Sequence, residues 1–273
     1  MASSWNTFAR VNASQRWRKP SAAMGRAMTE VIVREAHVEK HMHVLDVACG
    51  TGEPAISIAT LLNGTGEVIA TDISSEPLKI GEGRATERGL TNIRFQQADV
   101  HQLPFADASF HRITSRLGVM FFSDLPRALG EMHRVLKPGG RATLLAWGKM
   151  QQAYFDSTIG TILRTVPGLQ LPASGANMFK FGEPGVLVDA MRDAGFGPVE
   201  ENFTSVPWNW PGTPEDLWDY FRDVTVPFKT LFDAIPPDRR DEVTARVLDE
   251  LRERHRDGEV QFDAEILIAS GTR

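Results

Sequence analysis

The chain has 273 residues, of which 42% are hydrophobic and 24% are charged, and its formal net charge at pH 7 is −5. A negative chain offers no broad positive surface for phosphates, so the composition argues against a nucleic-acid partner. One cysteine cannot form an intramolecular disulfide, the N-terminus lacks a secretory apolar segment, and no apolar run would support membrane insertion, so we expect a cytoplasmic protein.

The sequence before the first strand predicts helical structure. Residues 20–39 read as a packing helix, because methionine, valine and isoleucine recur there at helical spacing. Segment 5–19 combines aromatic and basic side chains, which are Trp5, Phe8, Arg10, Arg16, Trp17 and Arg18. Such a segment has little apolar surface to bury within itself. We therefore expect residues 1–39 to provide a lid and a packing helix, with a frayed terminus as the alternative.

Residues 40–147 alternate short β-rich runs with longer helical patterns. The predicted strands are 43–47, 67–71, 93–97, 110–115 and 141–146. The predicted helices between them are 54–62, 76–88 and 124–136. This alternation is typical of a parallel sheet wound by helices, and it predicts a Rossmann-like α/β core.

Residues 148–273 are predicted to complete the same domain. A helix at 184–194, strands near 197–206 and 262–270, and an amphipathic helix at 238–256 follow the core. We expect a seven-stranded, mostly parallel sheet that ends in an antiparallel hairpin. Insertions rich in proline, glycine and aromatic residues, at about 148–184 and 207–258, are predicted to form a helical cap.

The aromatic residues of these insertions are candidates to line a closed site under the cap. They are Tyr154, Phe155, Phe179, Phe181, Trp208, Trp210, Trp218 and Phe221. The alternative is that they form the hydrophobic core of the cap itself.

A loop of small residues follows the first predicted strand. It runs from Asp46 to Gly52, and Pro54 stands where the next helix begins. Small side chains let backbone N–H groups and a helix N-terminus approach a ligand. Because Gly50 and Gly52, followed by Ala55, also fit the dinucleotide-binding pattern, the loop alone leaves open which nucleotide is bound.

Three carboxylates at or just after the ends of the first three predicted strands narrow the choice of ligand. Asp46 can hold an ammonium group but would repel a pyrophosphate. Asp72 ends the second strand, where an acid accepts hydrogen bonds from both ribose hydroxyls. Asp99 and the backbone of Val100 follow the third strand and can read the edge of an adenine. Together they predict a ligand with an amino group, a ribose and an adenine but without phosphates.

Five segments in this order carry a family resemblance. They are VLDVACGTGE (44–53), ATDIS (70–74), ADVHQLPFADASF (98–110), GVMFFSD (118–124) and RVLKPGGRATLLAW (134–147). With these segments the sequence resembles the class I S-adenosylmethionine-dependent methyltransferases, in their ubiquinone/menaquinone-biosynthesis-like branch. The resemblance implies a Rossmann-like fold and S-adenosylmethionine as cofactor.

The resemblance also implies roles for individual residues. The loop around Cys49 is similar to the one that surrounds the methionine part of the cofactor, Asp72 to the ribose ligand, and Ile73 and Leu78 to the apolar faces that pack on adenine. The full predicted cofactor site is Asp46, Ala48, Cys49, Gly50, Gly52, Asp72, Ile73, Leu78, Asp99, Val100 and Arg116. In one departure, Ala48 replaces the first glycine of the family's DxGxGxG pattern, which leaves the local backbone angles in question.

The catalytic residue is unknown at this point, with His101 and Arg116 as the candidates. His101 lies nearest the cofactor segments, although a histidine there is also an ordinary polar residue. Cys49 has no basic neighbour in sequence and reads as a small loop residue rather than a nucleophile. The histidine and acidic residues show no metal-ligand spacing, so no metal site is expected.

The leading hypothesis is a methyltransferase that moves a methyl group to a small-molecule acceptor by in-line displacement. An apolar or aromatic compound is one option for this acceptor. Carbon, nitrogen, oxygen or sulfur could be the methylated atom. The alternatives are a nicotinamide-dependent Rossmann oxidoreductase that uses the same loop, and a binding module that holds S-adenosylmethionine without turnover.

Overall fold

A computed structural model describes residue 13 and residues 15–273 of the chain. Seven strands form one sheet in the order β3-β2-β1-β4-β5-β9-β6, and β7 and β8 form a separate two-stranded hairpin. The strands are β1 His43–Val47, β2 Glu67–Asp72, β3 Ile93–Gln97, β4 Phe110–Arg116, β5 Leu136–Trp147, β6 Val199–Pro207, β7 His255–Arg256, β8 Glu259–Val260 and β9 Asp263–Thr272.

The sheet is parallel except for β9, the last strand in the sequence. Strands β1 to β5 pair in parallel, while β9 pairs antiparallel with β5 on one side and β6 on the other. The strand order reverses between β1 and β4, which makes this pair the topological switch point. Open α/β sheets bind ligands in the crevice beyond the carboxyl ends of the strands at such a point. The predicted fold class is confirmed.

Helices cover both faces of the sheet and build the cap. They are α1 Arg18–Met24, α2 Arg26–Glu35, α3 Ala55–Leu62, α4 Ser75–Glu87, α5 Leu125–Val135, α6 in three parts (Ala153–Phe155, a π-helical turn at Asp156–Gly160, and Thr161–Thr165), α7 Ala173–Ala176, α8 Val186–Asp193, α9 Pro214–Val224, α10 Lys229–Asp233 and α11 Arg240–Arg252. Their buried faces carry the apolar residues whose helical spacing predicted them, such as Met28, Val31 and Ile32 on α2.

Three elements differ clearly from their predicted bounds. The predicted helix over 238–256 is α11 Arg240–Arg252, and residues 255–256 form β7. The predicted helix over 20–39 is divided at Gly25, whose carbonyl accepts a hydrogen bond from Arg116 Nη1 at 3.2 Å, and it ends at Glu35. Strand β5 begins at Leu136, directly after α5, rather than at residue 141. Its register with β4 jumps from Phe110 opposite Leu136 to Arg112 opposite Arg141, so the Pro-Gly-Gly turn forms a bulge inside the strand.

Most of the cap consists of helices linked by aromatic packing. Phe221 on α9 lies 5.6 Å from Tyr154 on α6 and 6.0 Å from Phe228, measured between ring centroids. Trp147 at the end of β5 lies 5.0 Å from Phe155. Because these rings join the cap to the carboxyl end of the sheet, one continuous hydrophobic core supports both.

Candidate active site

The loop after β1 adopts a left-handed backbone at alternate residues. The φ angles are 56° at Ala48, 53° at Gly50 and 105° at Gly52. Ala48 therefore takes a conformation that glycine adopts without strain, which answers the question raised by its departure from the family pattern. A Cβ at Gly50 would meet no atom within 4 Å, because this residue faces open space where a ligand can approach the backbone.

Gly118 packs directly against this loop. A Cβ on Gly118 would lie 2.6 Å from the Ala48 Cβ and 2.7 Å from Ser115 Oγ. We expect Gly118→Ala to lower the free energy of unfolding by about 1–3 kcal/mol, because the loop must shift to admit the methyl group. Urea unfolding would measure this change. In the matched control, Gly130→Ala on α5, the new methyl meets nothing within 4 Å, and a stability equal to or above the wild type is expected. An equal loss in both variants would contradict the close contact.

Asp72 at the end of β2 is tied to two backbone amides. Its Oδ2 accepts from the Gly50 N–H at 2.9 Å, and its Oδ1 accepts from the Ser74 N–H at 2.9 Å. These bonds fix the carboxylate between the β1 loop and the start of α4. A carboxylate can accept about four hydrogen bonds in all, so the same group can also accept from a ligand diol.

Asp99 and His101 form a network between the β3 loop and α5. Asp99 Oδ1 accepts from the His101 N–H at 2.9 Å and lies 2.6 Å from His101 Nδ1. His101 Nε2 accepts from the Asp124 N–H at 3.2 Å, so the ring proton is on Nδ1. Partial burial raises the pKa of Asp99, but the bonds from His101 outweigh it and lower the pKa overall. Both ring nitrogens of His101 are thus occupied.

A first cleft lies over these residues, beyond the switch point. It has a volume of about 250 Å³ and is lined on one side by Asp72, Asp99 and His101. Ile73 and Phe121 also line it, with 51% and 37% of their surface exposed, although both are apolar. Exposed apolar side chains beside carboxylates are suited to a ligand with a planar ring and a polar edge.

Asp46 lies beneath the loop and lines neither this cleft nor the second one described below. Its side chain is fully buried, Oδ1 accepts from the Thr114 hydroxyl at 2.7 Å, and Oδ2 has no partner among the described residues. Burial raises the pKa of Asp46 from 3.8 to about 7, against the opposing effects of Thr114 and Arg116. Its position makes Asp46 a support for the loop.

Arg116 at the end of β4 is a buried cation. Besides the bond to Gly25, its Nε is buried with no partner among the residues that the structure describes. Burial lowers the pKa of Arg116, and the carboxylates of Glu53 and Asp46 oppose this shift. An unsatisfied guanidinium nitrogen is costly, so its position is consistent with a site for an anionic ligand group.

An ion-pair network behind the loop was not predicted from the sequence. Arg84 on α4 donates to the Thr51 carbonyl at 2.6 Å and to Glu53 Oε1 at 2.9 Å. Glu53 Oε2 accepts from the Ser57 hydroxyl at 2.7 Å. The side chains of Arg84 and Glu53 are only 8% and 12% exposed, so the network holds the loop firmly. Arg84 and Glu53 are 31 positions apart in the sequence, so local patterns do not predict the pair.

A second cleft of about 330 Å³ adjoins the first across the β1 loop, and Ala48, Gly50, Pro77, Leu117 and Phe121 line both. Its aromatic lining is Trp17, Trp147, Tyr154, Phe155, Phe121, Trp208, Tyr220 and Phe221. Of the predicted cap aromatics, four therefore line the cleft, while Phe179, Phe181, Trp210 and Trp218 do not. Charged side chains are also present, because Arg18, Glu53, Arg84 and Arg116 belong to this lining.

The predicted cofactor residues fall into three groups. Those that line the first cleft are Ala48, Gly50, Asp72, Ile73, Asp99 and Val100. Cys49 and Arg116 line the second cleft. Asp46, Gly52 and Leu78 line neither, and Leu78 is buried in a hydrophobic cluster between α3, α4 and the sheet. Ser74, Phe122 and Glu53 line the clefts but were not predicted.

Cys49 has a buried thiol. Burial raises its pKa well above 9.0, and the nearby carboxylates of Asp46 and Asp72 raise it further. The thiol is therefore protonated near neutral pH, which disfavours a nucleophilic role. Within the described residues there is no group of three or more histidine, cysteine or acidic side chains that could hold a metal ion. In the same part of the chain, no helix has both the length and the apolar character needed to cross a membrane.

Comparison with known proteins decides the family. The sequence profile of the ubiE/COQ5 methyltransferase family matches residues 21–169, from α1 through the end of α6. The chain belongs to the ubiE/COQ5 methyltransferase family. The predicted resemblance is thereby confirmed.

Individual members of the ubiE/COQ5 family also match part of the chain. The demethylmenaquinone methyltransferase of Geobacillus kaustophilus is 40% identical over 116 residues, which are 42% of this chain and 50% of the relative. The ubiquinone/menaquinone biosynthesis C-methyltransferase UbiE of Idiomarina loihiensis is 41% identical over 113 residues, covering 41% and 45%. The chain spans about half the length of the curated relatives it matches.

Solved structures agree on the fold. The YcgJ protein from Bacillus subtilis superposes with a TM-score of 0.59 at 21% identity, covering 90% of this chain and 97% of that one. A SAM-dependent methyltransferase from Aquifex aeolicus gives a TM-score of 0.51 at 18% identity, covering 68% and 90%. At these identities the likeness concerns the fold alone.

Proposed function

We propose that this chain is an S-adenosylmethionine-dependent methyltransferase that acts on a small-molecule acceptor. One observation carries the proposal beyond family membership: a carboxylate-lined cleft and an aromatic-lined cleft meet across the backbone of Gly50, at the switch point of the sheet. The first cleft suits the adenosine part of the cofactor, and the second suits the acceptor. The shared loop is where the methyl group would lie between them.

The residues of the first cleft fit the adenosine part. Asp72 is held with its carboxylate at the cleft, where it can accept from a ribose diol. Ile73 and Phe121 offer apolar surface to the faces of adenine. Asp99 and the backbone of Val100 can meet its edge. The open space at Gly50 gives the cofactor close access to the backbone.

Arg116 and the β1 loop fit the methionine part. The unpartnered Nε of Arg116 can donate a charge-assisted hydrogen bond to a carboxylate. Asp46, Gly52 and Leu78 would act from beneath, by holding the loop and α4 in place. This arrangement gives each predicted cofactor residue a role, direct for those that line a cleft and supporting for those that do not.

When bound, S-adenosylmethionine supplies an activated methyl group on a sulfonium, which a nucleophile displaces in line. The protein then contributes mainly position and exclusion of water, and alignment of this kind is worth roughly 7–11 kcal/mol. The aromatic lining of the second cleft excludes water from the acceptor. No histidine lines the second cleft among the described residues. The acceptor is therefore expected to react without an imidazole base.

A variant of His101 tests whether methyl transfer proceeds without an imidazole base. We expect His101→Gln to reduce kcat less than tenfold and to leave the pH profile of kcat unchanged, because the ring nitrogens already bond to Asp99 Oδ1 and to the Asp124 N–H. Loss of a general acid or base would cost about 10²–10⁴-fold. Initial rates of methyl transfer from pH 6 to 9 would measure this. A hundredfold loss, with the disappearance of an inflection, would make His101 a catalytic base.

The N-terminal segment contributes a lid in this proposal. Trp17 is buried, its indole N–H donates to Asp223 Oδ2 at 2.9 Å, and its ring lies 6.3 Å from Tyr220 of the cap. Trp17 also lines the second cleft. The remaining aromatic residues of the predicted lid, Trp5 and Phe8, lie outside the described residues, as does Arg10.

The lid proposal predicts ligand-dependent protection. Limited proteolysis should cut the segment before α1 more slowly when S-adenosylhomocysteine is bound, because closure couples its order to occupancy. Cleavage sites in the C-terminal half serve as the internal control. Equal cleavage rates with and without S-adenosylhomocysteine would rule out this role.

Two measurements test the proposed function. Calorimetry should show micromolar or tighter binding of S-adenosylhomocysteine and no binding of NAD, whereas the reverse would support the oxidoreductase alternative. Incubation of a metabolite extract with the protein and methyl-labelled S-adenosylmethionine, followed by mass spectrometry, should reveal a labelled product. Binding without any labelled product would support the alternative of a module that holds the cofactor without turnover.

A further inference from the structure

We propose that α1 is a strap along the second cleft, and that Arg116 seats this strap in response to the carboxylate of the cofactor. The strap is defined as residues 16–25, which are α1 with the residues directly before and after it. This inference rests on the proposed function and concerns the order of binding, since a cofactor that seats the strap completes the acceptor site. Two observations support it: the strap is attached to both sides of the cleft, and Arg116 joins the strap to the proposed cofactor site.

Two neighbouring residues attach the strap to opposite sides of the second cleft. Trp17 donates its indole N–H to Asp223 Oδ2 on α9 at 2.9 Å. Arg18 forms an ion pair with Glu87 at the end of α4, with Nη1 2.8 Å from Oε1. Trp17 and Arg18 both line the cleft, and so do other residues of α9 and α4. Because α9 belongs to the cap and α4 to the cofactor-binding core, the strap connects these two parts and supplies a wall between them.

The attachment to the cap depends mainly on Trp17. Its side chain is buried, and its ring centroid lies 5.6 Å from that of Trp210. Arg16 adds only long ion pairs, at 3.8 Å to Asp223 and 3.9 Å to Asp219, and 59% of its side chain is exposed. Exposed ion pairs contribute little to stability. The hydrogen bond between Trp17 and Asp223 is therefore the contact that holds this end of the strap.

Arg116 connects the other end of the strap to the proposed cofactor site. Its Nη1 donates at 3.2 Å to the carbonyl of Gly25, the residue between α1 and α2. The Nε of the same guanidinium is buried without a partner among the described residues. A guanidinium is planar and its donors have fixed directions, so a carboxylate bound at Nε also fixes the direction of Nη1. One side chain thus serves the cofactor and the strap.

A ligand that fixes the guanidinium therefore stabilises the strap. The gain in strap stability is set by the difference in the ligand's binding free energy with and without the strap in place, and the coupling is reciprocal. A ligand that lacks the carboxylate leaves Nε of Arg116 without this partner. It can still fill the first cleft, whose lining among the described residues contains no part of the strap. The complete cofactor thus finishes the wall against which the acceptor binds.

The test measures amide hydrogen exchange in α1 of the full chain by mass spectrometry. The two probes are S-adenosylhomocysteine and its decarboxylated analogue, each at a saturating concentration fixed beforehand by calorimetry. We expect S-adenosylhomocysteine to slow exchange in α1 at least about tenfold, and the analogue to leave it within about twofold of the ligand-free protein. The loop after β1, which both probes should protect, is the internal control. Equal protection of α1 by the two probes would overturn the proposal.

A substitution at Gly25 tests the link to Arg116. A Cβ at this position would lie 2.7 Å from Arg116 Nη1, while the φ of −82° suits alanine. Gly25→Ala should therefore displace the guanidinium, remove the difference between the two probes in α1, and weaken S-adenosylhomocysteine about tenfold but not its analogue. Gly83→Ala on α4 is the matched control, because its new methyl group meets nothing within 4 Å. If Gly25→Ala retained the wild-type difference between the probes, Arg116 would not be the link.

The cap end of the strap provides an independent test, which also applies if Gly25→Ala does not fold. Asp223→Ala removes the acceptor of the Trp17 N–H, so S-adenosylhomocysteine should no longer protect α1. Asp223→Asn keeps an oxygen acceptor and should restore most of the protection. Asp219→Ala, one turn away on the same helix, is the control and should behave as the wild type. Full protection of α1 in Asp223→Ala would contradict the role of this attachment.

The binding titrations separate the two levels of the inference. If neither probe binds, the proposed function fails and the strap proposal fails with it. If both probes bind and protect α1 equally, only the link through Arg116 is contradicted, and the proposed function stands.

Discussion

Replacing Asp72 by alanine is expected to weaken S-adenosylhomocysteine binding by about 3 kcal/mol, or about a hundredfold in Kd. The proposed contact with the ribose diol would be lost. The substitution also frees the amides of Gly50 and Ser74, which the carboxylate now holds at 2.9 Å each. Calorimetric titration of the folded variant would measure the change.

The control for this prediction is Asp99→Ala. Asp99 is 51% exposed at its side chain and its bonds go to His101, so the β1 loop does not depend on it. Its loss should weaken binding less than the loss of Asp72, since the backbone of Val100 remains in place. A larger effect at Asp99 would reverse the proposed order, and an unchanged Kd in Asp72→Ala would exclude Asp72 as the ribose ligand.

Replacing Asp46 by asparagine is expected to stabilise the protein at pH 8 and to remove part of its pH dependence. The folded protein keeps the proton on Asp46 up to about pH 7, whereas the ordinary pKa of the group is 3.8. The folded state therefore binds more protons between these values, so wild-type stability falls as pH rises from about 4 to about 7 and then levels off. The difference amounts to about 4 kcal/mol at most.

Asparagine should avoid this loss because it stays neutral and can still accept from the Thr114 hydroxyl. Urea unfolding of both proteins at several pH values would show their stability difference growing from pH 4 to 7. Thr114→Val provides a second check, because it removes a bond that lowers the pKa of Asp46 and should move the end of the decline above pH 7. A constant difference between wild type and Asp46→Asn across this range would contradict the raised pKa.

Some of the site could be predicted because its signals are local. The runs of small residues after β1, the acid at the end of β2 and the acid after β3 each follow a strand whose pattern is visible in sequence. Parallel strands bring their carboxyl ends to one edge, so Asp72 and Asp99 come to line the same cleft. The class of the fold follows from the same alternation of strands and helices.

Other parts of the site depend on contacts that local patterns do not contain. The family resemblance implied that Leu78 packs on an adenine face, but α4 turns its side chain into the hydrophobic cluster behind the cleft. His101 stays a catalytic candidate, but only the structure shows that its ring is held between Asp99 Oδ1 and the Asp124 N–H. Glu53 and Arg84 pair across two elements and showed no sequence signal at all.

The sequence by itself determined the Rossmann-like core, the small-residue loop and the acids at the strand ends, because each depends on neighbours a few positions away. Only the tertiary structure decided that Asp46 is buried beneath the loop and that Trp147, Tyr154 and Trp208 form one wall. These three rings come from β5, α6 and the segment after β6. Their meeting depends on how distant elements pack, since side-chain direction and burial are set by the whole core rather than by local periodicity.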